Sequence, residues 1–399
     1  MKRSYNWNLD EHLQQHRQMI FVTGPRQVGK TTLCRSLVKS PSYFNWDNQD
    51  HRVLILAGPE KISEVIGLTT LKATSPVVIF DEIHKYPRWK TFLKGFYDTY
   101  SERVKIVITG SSRLDVFNKG GDSLMGRYFP YRLHPLSVRE VGSPELASGE
   151  VQKPHRITEG EFKNLLFYGG FPEPFIKSGT RFYNRWKRLR QQLLLREDLR
   201  DLTRIQGIDQ IEILAEILKH HAGQLINYSR LANRIKVSVD TVRRWITMLR
   251  SLYYCFTVQP WTRNVPRSLL KQPKAYLWDW AMVDDDGARI ENFVASHLLK
   301  AVHWWTDNGF GEFNLYFIRD KEKREVDFLV TKNKEPWFIT EVKSGLGKSL
   351  NKHLFYFQEK TGARHAFQIS FALDYEDVDC FSITNPIIVP ATTFLSQLV

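Results

Sequence analysis

Gly24-Pro25-Arg26-Gln27-Val28-Gly29-Lys30-Thr31 is the stretch that decides the fold of the first part of this chain. The apolar run Met19–Thr23 before it is typical of a short buried strand. The residues from Thr32 onward favour a helix. A strand, a glycine-framed loop and a helix in this order form a cradle in which backbone N–H groups and the helix N-terminus bind phosphate. The sequence therefore predicts a phosphate-binding loop at residues 24–31.

The residue types of this loop indicate ATP with Mg²⁺ as the ligand. Its two glycines let the backbone curl around phosphate oxygens. Lys30 has the length to reach the β- and γ-phosphates, and the Thr31 hydroxyl is a suitable Mg²⁺ ligand. We expect every residue of the loop to contact the nucleotide, together with Thr32 after it. The predicted nucleotide-binding residues are Gly24, Pro25, Arg26, Gln27, Val28, Gly29, Lys30, Thr31, Thr32 and, further along the chain, Ser111.

A second apolar run, Pro76–Phe80, ends in the acids Asp81 and Glu82. Four consecutive apolar residues are typical of a parallel strand that is buried on both faces. We expect Asp81 to hold the Mg²⁺ through water. Glu82, one residue later, is placed to orient or deprotonate the attacking water. The pair predicts that ATP is hydrolysed as well as bound.

The third predicted strand, Lys105–Thr109, leads into another candidate region. A polar residue at the end of this strand is suited to sense the γ-phosphate, and Ser111 and Thr109 are the candidates; the alternative is an ordinary loop turn. Phosphoryl transfer also needs positive charge on the transition state. Arg113 and Arg127 are candidates for this arginine finger, in cis or from a neighbouring subunit, and the alternative for each is a solvated surface arginine.

The middle of the chain is basic and helical. Three short apolar patterns predict three helices, with a turn at Lys236–Ser238 between the second and the third, and Tyr253–Val258 follows as a strand. From Asn227 to Lys274 there are ten Lys or Arg residues and one acid. This arrangement predicts a winged helix-turn-helix that places positive charge on nucleic-acid phosphates. The candidate nucleic-acid contacts are Thr241, Arg243 and Arg244. The alternative is a protein–protein adaptor of the same fold.

The last third contains acids and a lysine on two predicted strands. Arg324–Val330 and Trp337–Lys343 are separated by a turn, so a hairpin would bring Asp327 beside Glu341. Glu341 and Lys343 share one face because strand side chains alternate. Two carboxylates suit Mg²⁺ or Mn²⁺, and a lysine near them activates water or stabilises a phosphate. The alternative is an exposed strand face of alternating charge.

Composition limits the class of protein and of partner. The chain has 399 residues, enough for several domains, and a net charge of +14. This excess of positive charge indicates an anionic partner, nucleic acid before a membrane surface. The three cysteines have no CxxC spacing, which argues against a disulfide framework or a zinc site. With neither a signal-peptide core nor an apolar run of about 20 residues, we expect a cytoplasmic protein without a membrane partner.

These motifs resemble the AAA-type P-loop ATPases, in particular a prokaryotic family with a C-terminal domain of restriction-endonuclease-like fold. The resemblance rests on residues 24–31, Phe80–His84, Thr109–Ser112, Pro135–Ser137 and Tyr168–Glu173. It implies an α/β P-loop ATPase domain with an AAA-type parallel sheet, a helical lid, a winged helix and a C-terminal α/β restriction-endonuclease-like domain. The corresponding expected boundaries are 1–150, 151–207, 208–275 and 276–399.

The C-terminal acids resemble the PD-(D/E)XK nuclease motif. In that motif Glu291 would lie in the first helix, Asp327 on the second strand, and Glu341 with Lys343 on the third. The resemblance implies metal binding by Glu291, Asp327 and Glu341, and catalysis by Asp327, Glu341 and Lys343. Many members of this fold bind nucleic acid without cutting it, so an intact motif leaves both outcomes open.

Three functions are compatible with the sequence. The first is ATP hydrolysis coupled to a nucleic-acid-binding, metal-dependent nuclease-like domain, acting on DNA in preference to RNA. The second is an ATP-dependent DNA-binding switch or regulator whose nuclease-like domain does not cleave. The third is a nucleotide-sensing module that recruits a protein partner. A homo-oligomer is compatible with all three.

Overall fold

The computed structural model describes residues 2–70, 74–110, 124–145, 149–199, 207–262, 272–345 and 349–399. They form two compact units, Met1–His134 and Pro135–Val399. All three cysteines are buried free thiols. Within the described ranges, no helix has the length and apolar character needed to cross a membrane.

The first unit is built on a five-stranded parallel sheet with strand order β2-β3-β4-β1-β5. The strands are β1 (Met19–Thr23), β2 (Ser42–Asn45), β3 (Val77–Asp81), β4 (Lys105–Thr109) and β5 (Tyr128–Arg132). β1 and β3 are buried along their whole length, as expected for parallel strands covered on both faces. The three strands predicted from apolar runs are therefore confirmed, and so is the parallel α/β fold.

Helices connect these strands. They are α1 (Tyr5–Gln15), α2 (Lys30–Arg35), α3 (Gln49–Leu56), α4 (Pro59–Val65) and α5 (Trp89–Tyr100), with a 3₁₀ turn at Ile83–Lys85. α5 packs on the sheet because Phe92 and Phe96 make edge-to-face contacts with Phe80 of β3. In a parallel sheet the carboxyl ends of the strands share one edge. The phosphate-binding loop after β1 and the acid that ends β3 therefore lie at the same edge.

The second unit begins with helices. They are α6 (Val138–Gly142), α7 (Glu159–Tyr168), α8 (Pro172–Lys177), α9 (Thr180–Gln192, continued by a π-helical turn Leu193–Asp198), α10 (Ile208–His220), α11 (Tyr228–Ile235) and α12 (Val239–Ser251). The last three are the helices predicted from the apolar patterns, and their apolar faces share one core. The predicted N-cap of α12 is confirmed, since the Ser238 side chain accepts a hydrogen bond from the Thr241 backbone N–H.

A seven-stranded mixed sheet follows, with strand order β12-β11-β10-β9-β8-β6-β7. Its strands are β6 (Cys255–Pro260), β7 (Lys274–Leu277), β8 (Phe313–Arg319), β9 (Glu325–Lys332), β10 (Glu335–Lys343), β11 (His365–Ser370) and β12 (Ile387–Pro390), and its helices are α13 (Asp286–Asp307), α14 (Lys352–Thr361) and α15 (Ala391–Ser396). β6, the strand predicted after the third helix, pairs antiparallel with β7 and parallel with β8. The predicted boundary at residue 275 lies within β7.

The predicted hairpin is the pair β9–β10. Its turn is formed by Asn333 and Lys334, which both adopt positive φ angles of 51° and 71°. The antiparallel register pairs Phe328 with Thr340. One step further along this register, Asp327 faces Glu341. The helix α13, the strands β8 to β10, the helix α14 and the strand β11 follow one another in the chain.

Candidate functional sites

The phosphate-binding loop has the backbone conformation that its glycines make possible. Gly24 has φ +145°, and a Cβ at this position would lie 2.3 Å from the carbonyl oxygen of Leu133. Gly29 caps α2 with φ 96°, and Gln27 between them has φ 63°. Because side chains other than glycine are disfavoured at such angles, a substitution at Gly24 or Gly29 would distort the loop.

Lys30 points into this loop. Its Nζ donates hydrogen bonds to the carbonyl oxygens of Gly24, at 3.0 Å, and Pro25, at 2.9 Å. Burial lowers the pKa of Lys30 to about 8, although the charges of Glu82 and Asp81 oppose this shift. An ammonium that donates to two carbonyl oxygens is chemically suited to exchange them for phosphate oxygens. The loop and Lys30 therefore fit a bound triphosphate.

Asp81 accepts hydrogen bonds from three hydroxyl groups. Thr31 Oγ1 donates to its Oδ2 at 2.9 Å, and the Tyr43 hydroxyl donates to the same oxygen at 2.6 Å. Thr109 donates to Oδ1. A carboxylate next to a threonine hydroxyl is an all-oxygen donor set of the kind that Mg²⁺ prefers. The predicted contact between the two motifs is thus present, and Thr31 and Asp81 fit the role of metal ligands.

Tyr43 was not predicted. Burial and the hydrogen bond to Asp81 raise the pKa of its hydroxyl, so it stays a neutral donor. It comes from β2, which lies beside β3 in the sheet although the two strands are far apart in the chain. The order of parallel strands is not visible in a local pattern, so nothing in the sequence marked Tyr43.

Glu82 lies directly after β3 in the left-handed region, with φ 55°. Its backbone N–H donates to the Thr109 carbonyl at 3.0 Å, which fixes the turn. Burial raises the pKa of its carboxyl, while Lys85 and Lys30 oppose this shift. Lys85 Nζ lies 3.6 Å from Glu82 Oε2. A raised pKa brings a carboxylate closer to the range that suits proton transfer.

The remaining predictions for the first unit have different outcomes. Ser111 and Arg113 lie outside the described residues. Thr109, the other candidate sensor, is bound to Asp81. Arg127 donates from Nε and Nη2 to the two carboxylate oxygens of Asp98, at 2.7 and 3.0 Å. This bidentate pair gives Arg127 a structural partner within its own unit, so its role as an arginine finger stays a prediction.

In the second unit the structure brings Asp327, Glu341 and Lys343 together. Asp327 Oδ2 accepts a hydrogen bond from the Val342 backbone N–H at 2.8 Å. Lys343 Nζ donates to Glu341 Oε1 at 2.8 Å, and the amide of Asn351 donates to the same oxygen at 2.9 Å. Glu341 is buried, with 7% of its surface exposed. The predicted hairpin geometry is therefore present.

Glu291 has partners that the sequence did not suggest. Its Oε1 lies 3.2 Å from Lys274 Nζ and 2.7 Å from the Tyr276 hydroxyl. Lys274 Nζ also lies 2.7 Å from Glu325 Oε1, and Glu325 Oε2 in turn lies 3.2 Å from Arg319 Nη1. Lys274 and Tyr276 belong to β7, and no local pattern linked that strand to α13. We call Lys274, Glu291, Glu325, Asp327 and Glu341 the carboxylate cluster.

The charges in the carboxylate cluster shift the pKa values of Asp327 and Lys274. Burial and the negative charges of Glu291 and Glu341 raise the pKa of Asp327 well above its ordinary value. Burial disfavours the ammonium of Lys274, but Glu291, Asp327 and Glu325 outweigh this effect and raise its pKa. The lysine is therefore charged, and the acids are arranged around it.

Divalent-metal binding was predicted for Glu291, Asp327 and Glu341. In the parts of the chain that the structure describes, no group of three His, Cys, Asp or Glu side chains is arranged to hold a metal ion. Carboxylates suit a hard cation chemically. However, the ammonium groups of Lys274 and Lys343 already bind the carboxylates of Glu291 and Glu341, the place that a metal ion would take. As arranged here, the set does not fit a bound metal.

The predicted nucleic-acid residues lie on α12. Arg243 and Arg244 are exposed, whereas the next two residues, Trp245 and Ile246, are buried. Thr241 Oγ1 hydrogen-bonds Ser238 Oγ at 2.8 Å, and the Arg243 guanidinium lies 4.4 Å from the centre of the Tyr228 ring. The prediction that these residues face away from the core is confirmed.

Comparison with known families assigns one part of the chain. Residues 16–142 match the family model described as AAA domain. Residues 159–284 and 286–391 match two models described as Domain of unknown function, DUF8612 and DUF4143.

Two bacterial proteins are similar over most of the chain. One, from Mycobacterium tuberculosis, is 25% identical over 82% of this chain and 73% of its own length. Another, from Haemophilus influenzae, is 21% identical over 65% of this chain and 64% of its own length. The names of both describe them as uncharacterised.

Solved structures give only a general likeness. A Walker-type ATPase of Pyrococcus abyssi has a TM-score of 0.44 and 16% identity, and covers 71% of this chain and 94% of that chain. AMPPCP-bound DnaA from Aquifex aeolicus has a TM-score of 0.32 and 13% identity, with 62% and 86% covered. The AAA match, together with the geometry of Lys30, Thr31 and Asp81, identifies the N-terminal region as an AAA-type P-loop ATPase domain, a class that binds nucleotide with a divalent cation.

Proposed function

We propose that this protein binds ATP and hydrolyses it at the site formed by Lys30, Thr31, Asp81 and Glu82. The observation that carries the proposal is the hydrogen bond between Thr31 and Asp81, 2.9 Å long, which joins the two motifs beside the buried ammonium of Lys30. Sequence order alone does not require these side chains to meet.

Each residue has a role that follows from its position. Lys30 leaves the carbonyls of Gly24 and Pro25 and binds phosphate oxygens. Thr31 holds the Mg²⁺, and Asp81 holds it through water. Glu82 orients the attacking water and accepts its proton. The bound Mg²⁺ supplies charge neutralisation of the phosphates.

The test is nucleotide binding and turnover by the full-length Lys30→Ala variant. The expected result is loss of both, because the phosphates lose their charge-assisted partner. Lys39→Ala is the matched control, since Lys39 is an exposed lysine shortly after α2. Full turnover by Lys30→Ala would refute the assignment of the site.

We propose further that the nucleotide state controls a nucleic-acid-binding region, with DNA as the preferred ligand. Support comes from the net charge of +14 and from the exposed Arg243 and Arg244 beside Thr241 on α12. Phosphate contacts release counterions, so binding should weaken steeply with salt. Fluorescence anisotropy with DNA and RNA over a salt series, with and without ATP, tests this step. A protein that binds ATP but neither nucleic acid would instead support the third function, a module that recruits a protein partner.

Metal-dependent cleavage is a second candidate function of the same region. The observation that favours it is the position of Asp327 beside Glu341 and Lys343, on the strands and in the element order of the PD-(D/E)XK motif. Because Glu291 is already bound by Lys274 and Tyr276, we place binding without cleavage first. Incubation of DNA and RNA with Mg²⁺ or Mn²⁺ and ATP decides between the two. Cleavage above the level of an Asp327→Ala control would reverse this order.

A further inference from the structure

The centre of the carboxylate cluster is occupied by an ammonium group. Lys274 has 4% of its surface exposed, and its Nζ lies between Glu291 Oε1, at 3.2 Å, and Glu325 Oε1, at 2.7 Å. The Tyr276 hydroxyl donates to the same oxygen of Glu291. Two donors therefore converge on one carboxylate oxygen of Glu291, which belongs to α13.

The segment that supplies these donors also encloses Glu291 sterically. The Gly223 backbone N–H donates to the Ala275 carbonyl at 2.8 Å, which fixes the turn after α10 against β7. A Cβ at Gly223, where φ is +78°, would lie 3.1 Å from Glu291 Oε1. Glu291 is therefore packed between this turn and the side chains of Lys274 and Tyr276 on β7.

An ammonium and a divalent cation need the same carboxylate oxygens. We propose that Lys274 is an internal cation that competes with a divalent metal for Glu291 and keeps the carboxylate cluster closed to metal. The proposal rests on the second candidate function, since it concerns the metal site which that function requires. Competition by Lys274 explains why the acids of the motif lie close together although no group of described residues is arranged to hold a metal ion.

Charge balance in the cluster supports this role. The charges of Glu291, Asp327 and Glu325 raise the pKa of Lys274, and those of Glu291 and Glu341 raise the pKa of Asp327. Such a group of acids is costly to bury unless cations compensate it. Lys274 provides this compensation from inside the fold, as a metal ion would from solution.

The test is Mn²⁺ binding, measured from the free-Mn²⁺ signal in electron paramagnetic resonance. The full-length chain is used without nucleotide and with Asp81→Asn, so that the phosphate-binding loop lacks its metal-holding acid. Lys274→Met keeps the length of the side chain and removes its charge. We expect it to bind Mn²⁺ at least tenfold more tightly than the parent. Adding Glu291→Gln or Asp327→Asn to Lys274→Met should abolish the gain.

Lys332→Met is the matched control, because Lys332 is also a partly buried lysine paired with an acid, Glu150, but lies at the other end of β9. It should bind Mn²⁺ like the parent. If Lys274→Met does not fold, Lys274→Met/Glu325→Gln removes one charge of each sign and should show the same gain.

The outcomes separate the inference from the function on which it rests. Equal, Asp327-dependent Mn²⁺ binding by the parent and by Lys274→Met overturns the inference and leaves the metal-dependent candidate in place. If no variant binds Mn²⁺, both the inference about Lys274 and the metal-dependent candidate function are overturned. ATP turnover by the chain without Asp81→Asn is measured separately and bears on neither.

Discussion

The two candidate sites treat charge in opposite ways. In the ATPase domain, Asp81 accepts hydrogen bonds from neutral hydroxyl groups, and among the described residues Lys30 donates hydrogen bonds to carbonyl oxygens. In the carboxylate cluster, the acids are bound directly by Lys274 and Lys343. The ATP site therefore has a cation, Lys30, and an anion, Asp81, available for a ligand that carries both charges, namely ATP with Mg²⁺. In the carboxylate cluster, the charges of the acids are already balanced by lysines of the same cluster region.

This difference explains which site accepts a ligand without rearrangement. Exchanging a carbonyl for a phosphate oxygen leaves no ion unpaired at the ATP site. Metal binding at the carboxylate cluster must first displace the buried ammonium of Lys274 from the carboxylates of Glu291 and Glu325.

Removal of the base at the ATP site should have the largest effect. In Glu82→Gln, ATP turnover should fall at least about 100-fold, because a positioned general base contributes roughly 10²–10⁴-fold. Nucleotide affinity should stay near that of the parent, since Glu82 is not expected to bind the phosphates. Steady-state hydrolysis and equilibrium binding measure the two quantities. Undiminished turnover would show that Glu82 is not the base.

Removal of the internal cation should destabilise the fold. Lys274→Met leaves the partly buried Glu291 and Glu325 without their shared ammonium, so we expect the free energy of unfolding to fall by about 2 kcal/mol. Lys332→Met, whose side chain is 37% exposed, should change it by no more than about 1 kcal/mol. Urea denaturation of both variants makes the comparison. Equal effects would show that Lys274 has no special place in the carboxylate cluster.

The pH dependence of ATP binding should report on Lys30. Its pKa is lowered to about 8 in the free protein, and bound phosphates favour the charged form. Binding therefore takes up a proton above this pKa and weakens as the pH rises, by about tenfold between pH 7 and pH 9. Isothermal titration calorimetry over this range measures the effect. A parent whose ATP affinity does not change over this range would argue against a buried ammonium in the loop.

Single arginine changes on α12 should have the smallest effect. Arg243→Ala or Arg244→Ala should weaken DNA binding uniformly across sequences and reduce the salt slope by about one, as expected for one lost phosphate contact. Lys177→Ala on α8 removes an exposed charge elsewhere and should leave the slope unchanged. An unchanged slope in both arginine variants would favour the protein-adaptor alternative.

Features formed by residues that are close together in the chain could be predicted from the sequence. The strand, loop and helix around Lys30 were visible because they are contiguous, and the pairing of Asp327 with Glu341 followed from a hairpin. Tyr43 could not be predicted, because it reaches Asp81 through a neighbouring strand that is distant in the chain. Lys274 could not be predicted either, because no local pattern places the short strand β7 against Glu291 of α13 and Glu325 of β9. Competition between Lys274 and a metal ion for Glu291 also depends on the order of the strands in the sheet. The alternation of polar and apolar residues does not reveal that order.

The pairing of β6 on both of its edges has a consequence for dissection of the protein. Helices α10 to α12 and strands β8 to β10 are joined through one hydrogen-bonded sheet, so we expect them to unfold cooperatively in a single transition. A C-terminal fragment that begins at α13 would lack β6 and leave the edge of β8 without its neighbour. Such an edge is prone to self-association, so fragments cut there should aggregate, whereas limited proteolysis of the intact second unit should not release α10 to α12 as a folded piece.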